Sequence, residues 1–360
     1  MELFTCWEHY LCMLFAQLTN RESLRDVETC LRAAGKKLYH AGIRSRISRS
    51  TLADANEHRP WQMYHDFAQH LIREARVLYR NEKIFSDIST AVYACDSTTI
   101  DLCLTLFPWA RATVYQKANA AIKVHTQYDV QQKIPTYIRV SAANVHDVNF
   151  MDALVYELGA FYIFDRGYVD FSRLHQIENE KAFFVIRAKR SLRFIREASL
   201  SVDKTTGVRV DQRIKLQVFY SLKEYPDQLR RIKYYDAVHD QTYVYLTNNF
   251  QLNSFTIAEL YRARWEVETF FKWIKQHLRI KSFLGTSPNA VKTQVWIAIS
   301  AYVMIAIIRK RLNINLSLYT ILQILSVSLF EKVHIYQLLT DNQTQYLMQH
   351  SDNQLNLFDL

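Results

Sequence analysis

Apolar residues recur every three to four positions through the first part of the chain. Leu11, Leu14, Phe15 and Leu18 share one face, and Leu24, Val27 and Leu31 continue the rhythm, so residues 1–85 predict a helical region. The period then changes. Residues 91–95, 100–107, 122–130 and 136–140 are β-branched and aromatic runs separated by polar stretches, which predicts strands. A helix is expected at about 150–158, a strand at Phe161–Phe164, a helix over 170–180 and a strand over 182–187. Residues 191–250 stay β-flavoured, most clearly at 215–221 and 242–247. A long helix is predicted from 256 to about 277, helices continue to about 340, and the polar last dozen residues are expected to be loose.

Composition removes several classes of function. The six glycines, at 35, 42, 159, 167, 207 and 285, never cluster as a phosphate-cradling loop requires, so no nucleotide cofactor is expected. Five cysteines form no CxxC pair, which argues for reduced thiols in a cytoplasmic protein. Residues 1–10 include Glu2, Glu8 and His9 and do not form a signal peptide. The most apolar run, 295–308, is shorter than the roughly 20 residues of a membrane span and ends in Arg309-Lys310-Arg311, so it is expected to be a core helix. The net charge of +10 favours a polyanionic partner. Residues 44–59 carry four arginines, and Ser50 is a candidate N-cap for a short helix with basic flanks, as a helix-turn-helix DNA reader requires.

Two aspartates stand out by position. Asp96 follows the apolar run 91–95, and Asp165 ends Phe161–Phe164. A carboxylate at the end of a buried strand is held rigidly, which suits a hard divalent cation. Either alone is better explained as a turn cap. On the long helix, Tyr261, Arg264, Glu268 and Lys275 fall within one stripe at about 100° per residue, whereas Glu266 points elsewhere. Trp265 and Trp273 flank that stripe and are assigned to core packing in preference to base stacking. His146 and Asp147 are left outside the catalytic set.

The spacing Tyr261-x2-Arg264-x3-Glu268-x6-Lys275 resembles the Y-x2-R-x3-E-x6-K signature of the IS-four family of bacterial insertion-sequence transposases. Asp96 in DSTT and Asp165 in DRGY resemble that family's first and second catalytic aspartates. The likeness extends to LFAQLTNRESLRDVE at 14–28, STLADANEHR at 50–59, IDLCLTLFPWA at 100–110 and NVHDVNF at 144–150. It departs at 114–122, where alanines stand in place of a common Lys-Gly pair, although Lys123 and His125 fit. Members usually carry more residues before the LFAQLT block, so the chain is expected to begin inside the DNA-binding region.

The resemblance implies an α/β fold. It has a ribonuclease-H-like catalytic core (86–190 and 251–285) interrupted by a β-rich insertion (191–250), with a helical N-terminal DNA-binding region (1–85) and a helical C-terminal region (286–360). It implies Asp96, Asp165 and Glu268 as catalytic metal ligands for two Mg²⁺ ions, with Mn²⁺ as substitute, and Tyr261, Arg264 and Lys275 as DNA contacts. The implied partner is double-stranded DNA, both terminal inverted repeats and target, bound by a homodimer at the nucleoid. Cleavage would then be followed by strand transfer of the freed 3′-OH. A hydrolytic nuclease of the same fold and a non-catalytic DNA-binding remnant are the alternatives. Three metal-ligating acids argue against the second.

Overall fold

The computed structural model describes residues 4–110, 120–278, 280 and 282–340. Helices come first: α1 (Cys6–Leu18), α2 (Leu24–Ala34), the single turn α3 (Lys37–His40), α4 (Arg49–His58) and α5 (Gln62–Tyr79). Next are β1 (Val92–Leu102), β2 (Ala120–Asp129), β3 (Ile134–Ala142), β4 (Phe161–Phe164), α6 (Phe171–Asn179) and β5 (Phe183–Arg187). Then come β6 (Phe194–Ser199), β7 (Val208–Leu216), α7 (Phe219–Glu224), β8 (Leu229–Asp236) and β9 (Gln241–Thr247). The chain closes with α8 (Ser254–Arg262), α9 (Trp265–His277), α10 (Pro288–Arg311) and α11 (Leu318–Ser328). The described residues divide into two compact units, with boundaries after Asn81 and after Phe271.

In the helical unit, α10 is the central element, and it contains the apolar run noted in the sequence. It is long and apolar enough to cross a membrane by length and composition, yet 83% of its most apolar window is buried in the protein. At the start of α1, Thr5 and Glu8 form a capping box. The Glu8 carboxylate also accepts the backbone N–H groups of Arg44 (2.8 Å) and Ser45 (2.9 Å), pinning the loop before α4. Burial opposes its charge, but these bonds and those from Thr5 together hold its pKa down at about 2. The N-cap of α4 is Ser48, not Ser50: Ser48 has the extended backbone a cap requires and its hydroxyl accepts from the Thr51 N–H at 3.2 Å.

The second unit is built on a nine-stranded sheet in the order β3-β2-β1-β4-β5-β9-β8-β7-β6. β1, β4 and β5 run parallel, and the remaining pairings are antiparallel. β4 reads Phe-Tyr-Ile-Phe and is buried throughout, as a central parallel strand must be when both faces are covered. Strands β6–β9 are hydrogen-bonded into this same sheet through the β5–β9 pairing.

Several expected boundaries shift. The runs 91–95 and 100–107 are not separate strands: β1 continues through the polar DSTT because β2 pairs with it along its whole length. The helix expected at 150–158 is a 3-10 stretch at Asp147–Ala153 that ends in extended backbone at Leu154. The long helix expected over 256–277 is broken between Arg262 and Trp265. There Arg264 N–H reaches back only to Tyr261 and Val267 N–H only to Arg264, the tighter 3-10 spacing. The departure noted at 114–122 falls largely outside the described residues, as do the last dozen positions.

Candidate active site

Alternation along the central strands places the acids. Tyr93 and Cys95 on β1, with Tyr162 and Phe164 on β4, enter the buried cluster beneath one face of the sheet. With a side-chain period of two, Ala94 and Asp96, like Ile163 and Asp165, emerge on the opposite face. Parallel pairing between β1 and β4 ends at Cys95 and Phe164, so the two aspartates occupy the next position on each strand. That is the carboxyl end of adjacent parallel strands, where open α/β sheets place their ligands. α8 packs on this face against β4 and β5 through buried Ile257 and Leu260, and leads into the break that positions Arg264.

Arg264 is the hub of the site. Its Nη1 donates to Asp96 Oδ2 at 2.7 Å and its Nη2 to Glu268 Oε1 at 2.6 Å, so a single guanidinium spans both carboxylates. Tyr261 donates its hydroxyl to Asp165 Oδ1 at 3.1 Å. Three acids far apart in sequence are thus held by Tyr261, in the last turn of α8, and Arg264, within the helix break. Burial raises Asp96 from the ordinary carboxylate range to about 6, although Arg264 and the Ser97 N–H oppose that rise. Burial disfavours the Arg264 charge too, yet Asp96, Tyr261 and Glu268 around it hold the guanidinium more firmly protonated than usual. Burial likewise raises the Tyr261 hydroxyl, with Asp165 adding to the effect, so it remains a donor at neutral pH.

Among the described residues, no group of three His, Cys, Asp or Glu side chains stands in metal-ligating positions. What the site offers is the chemistry of its donors: three carboxylates, all oxygen, of the kind a hard divalent cation takes. Of the sequence-predicted residues, Asp96, Asp165, Glu268, Tyr261 and Arg264 come together. Lys275 lies two turns beyond Glu268 on α9, in the stretch that belongs to the helical unit. Glu266 turns away and pairs with Lys133 at 3.4 Å.

The assignment of Trp265 to the core is overturned. The residue is 61% exposed because it opens α9 just after the break, where the chain has left the apolar face. The Arg264 guanidinium lies 5.9 Å from its ring centroid. Trp273, by contrast, is packed edge-on against Tyr302. The pairing of Arg264 with Asp96 was hidden from the sequence, since spacing along a helix says nothing about a partner on β1. Also missed was a cluster on the other face of β1, where Asp147 accepts from the Ser97 hydroxyl (2.7 Å) and Lys123 (3.1 Å) beside buried His125. Its members were visible singly in the sequence, Lys123 and His125 by their fit to the family pattern and Asp147 beside His146, but nothing there joined them to Ser97.

A mixed sheet flanked by helices, with three acids and a guanidinium at the carboxyl ends of its parallel strands, defines an α/β protein with an acidic site suited to polyanion chemistry. A family profile described as the transposase DDE domain matches residues 89–304, and a second profile, a domain of unknown function (DUF4372), matches residues 2–44. The chain belongs to the DDE transposase family and is a DNA transposase, an enzyme that cleaves DNA and transfers its strands. It is 34% identical over 292 residues to a Sinorhizobium fredii protein named as a transposase, covering 78% of this chain and 77% of that one. It is 29% identical over 226 residues to a Geobacillus stearothermophilus protein named as a transposase for insertion sequence element IS5377, covering 62% and 59%. A solved structure of the piggyBac transposase synaptic complex with hairpin DNA aligns with a TM-score of 0.44 at 10% identity, over 98% of this chain and 72% of that one.

Proposed function

We propose that Asp96, Asp165 and Glu268 are the catalytic acids of this transposase, set in a ribonuclease-H-like core. They cut the phosphodiester bonds at insertion-sequence ends and then join the freed 3′-OH to target DNA. The observation that carries this reading is the network in which Arg264 joins Asp96 to Glu268 while Tyr261 holds Asp165. Members of the DDE family use divalent metal, and the all-oxygen donor set fits it. The three carboxylates would hold two Mg²⁺ ions, or Mn²⁺ in their place, whose charge offsets that of the phosphate and of the departing oxygen.

The chain's own residues do the remaining work. Arg264 offers a planar fork matched to a phosphate as well as to a carboxylate, and Lys275 adds a point charge along the same helix. The Tyr261 hydroxyl fixes the orientation of Asp165. Water is the nucleophile in cleavage and the 3′-OH in joining, so one arrangement serves both steps. The resemblance to the IS-four family supports a homodimer acting on terminal inverted repeats at the nucleoid of a bacterium, with the DNA-binding region within 1–85 and the core resuming at 251–285 after the insertion.

Glu268→Gln tests the reading because the amide keeps the shape and can still accept from Arg264. Cleavage of an element-end duplex is expected to fall by at least about a hundredfold, while binding of that duplex in chelator stays close to wild type. Equal loss of both would contradict the assignment.

A further inference from the structure

A second feature adjoins the acids on the sheet. β4 and β5 pair in parallel through Phe164 and Ile186, so Arg187 stands on β5 at the position that Asp165 holds beyond β4. From there a cleft of about 300 Å³ opens toward the insertion strands. Its walls carry Arg166, Arg187, Lys189, Arg190 and Arg231, and no acid lines it. None of the five cations is ion-paired among the described residues.

Their side chains are held ready. The Arg187 guanidinium lies over the Tyr243 ring at 5.0 Å and that of Arg231 over Phe194 at 4.9 Å, which orients each plane and leaves N–H edges to spare. Arg231 gives one N–H to Gln212 at 3.0 Å, and Lys189 gives one to the Val169 carbonyl at 3.1 Å. The Nε of Arg166 is buried with no acceptor at all. A buried donor without an acceptor is costly, and this one belongs to a residue that lines a cleft with no acid in its walls.

We infer that this cleft is a phosphodiester subsite that seats a single, unpaired DNA strand running from the acids toward the β-rich insertion. The inference rests on the reading of Asp165 as part of the catalytic site, and it adds where the substrate lies. The cleft volume of about 300 Å³ is on the scale of one sugar-phosphate chain. A positively charged groove that follows the backbone is what single-strand binding requires. Contacts to phosphate carry no base information, so the subsite accepts any sequence.

The test uses the full chain in chelator and two versions of one duplex, blunt or carrying a short oligothymidine tail. Wild type is expected to bind the tailed duplex on the order of tenfold more tightly, with a salt slope steeper by about 0.7 for each tail phosphate held. Lys189→Gln with Arg190→Gln, both at exposed positions, should abolish the tail preference and the added slope while lowering blunt-duplex binding far less, and an unchanged melting temperature reports that the variant folds. A variant that keeps the tail preference would overturn the inference, and so would one that loses affinity for both duplexes alike. Glu268→Gln should retain the tail preference. If it retained cleavage as well, the reading of the acids would fail while the cleft stood.

Discussion

Arg264 does two jobs that need a guanidinium. It bridges Asp96 to Glu268 with separate nitrogens, and it does so while 7% exposed, where each carboxylate would otherwise face a like charge with little water to screen it. Removing one partner from a buried ion pair costs about 3–5 kcal/mol. Arg264→Ala is therefore expected to lower thermal stability markedly in chelator. Arg264→Lys should recover only part of the loss, because an ammonium cannot reach two carboxylates as a fork. Scanning calorimetry of the three proteins checks this, and equal melting of wild type and Arg264→Ala would contradict it. The identity of these residues was legible in the sequence: Tyr261, Arg264 and Glu268 were picked out by their spacing, and Asp96 and Asp165 by the apolar runs before them. Their pairing was not legible, because which carboxylate a guanidinium meets depends on the register of strands that are remote in sequence.

At the scale of elements, the sequence shows where structure occurs better than where it stops. β4, α6 and β5 lie close to where periodicity predicts them, since each is bounded by polar or turn residues. The interruption between α8 and α9 was invisible: no glycine or proline marks Ala263-Arg264, and the hydrophobic period runs on across it. The continuation of β1 through DSTT was equally hidden, since it depends on β2 alongside. The start of α4 was misplaced by two residues because Ser48 and Ser50 are equally good caps in sequence, and only the backbone angles distinguish them. Ser48→Ala is expected to cost about 1 kcal/mol of stability. Ser50→Ala, inside the helix at an exposed position, should change stability by less than about 0.5 kcal/mol. Thermal melts of the pair read the difference directly, and the reverse order would return the cap to Ser50.

At the scale of the whole molecule, each unit carries a buried neutral imidazole. Burial pushes His9 down to about 4 from an ordinary value of 6.5, against an opposing hydrogen bond to Asn56. Burial does the same to His125, against the pull of Asp147. The unfolded chain takes up these protons as pH falls below 6.5, and the folded chain resists until about 4. Stability therefore rises with pH across that window and is lost on the way down, by on the order of 1–2 kcal/mol per histidine between about pH 7 and 5. Urea unfolding followed at those two pH values should show the midpoint fall on acidification, and a flat profile would contradict the assignment. The continuity of the nine-stranded sheet has a practical corollary for anyone trimming the enzyme. β9 covers the flank of β5, whose sequence is Phe-Phe-Val-Ile-Arg. Excising 191–250 to obtain a minimal catalytic fragment would bare that apolar border as a template for other chains, and the product should clump instead of cutting.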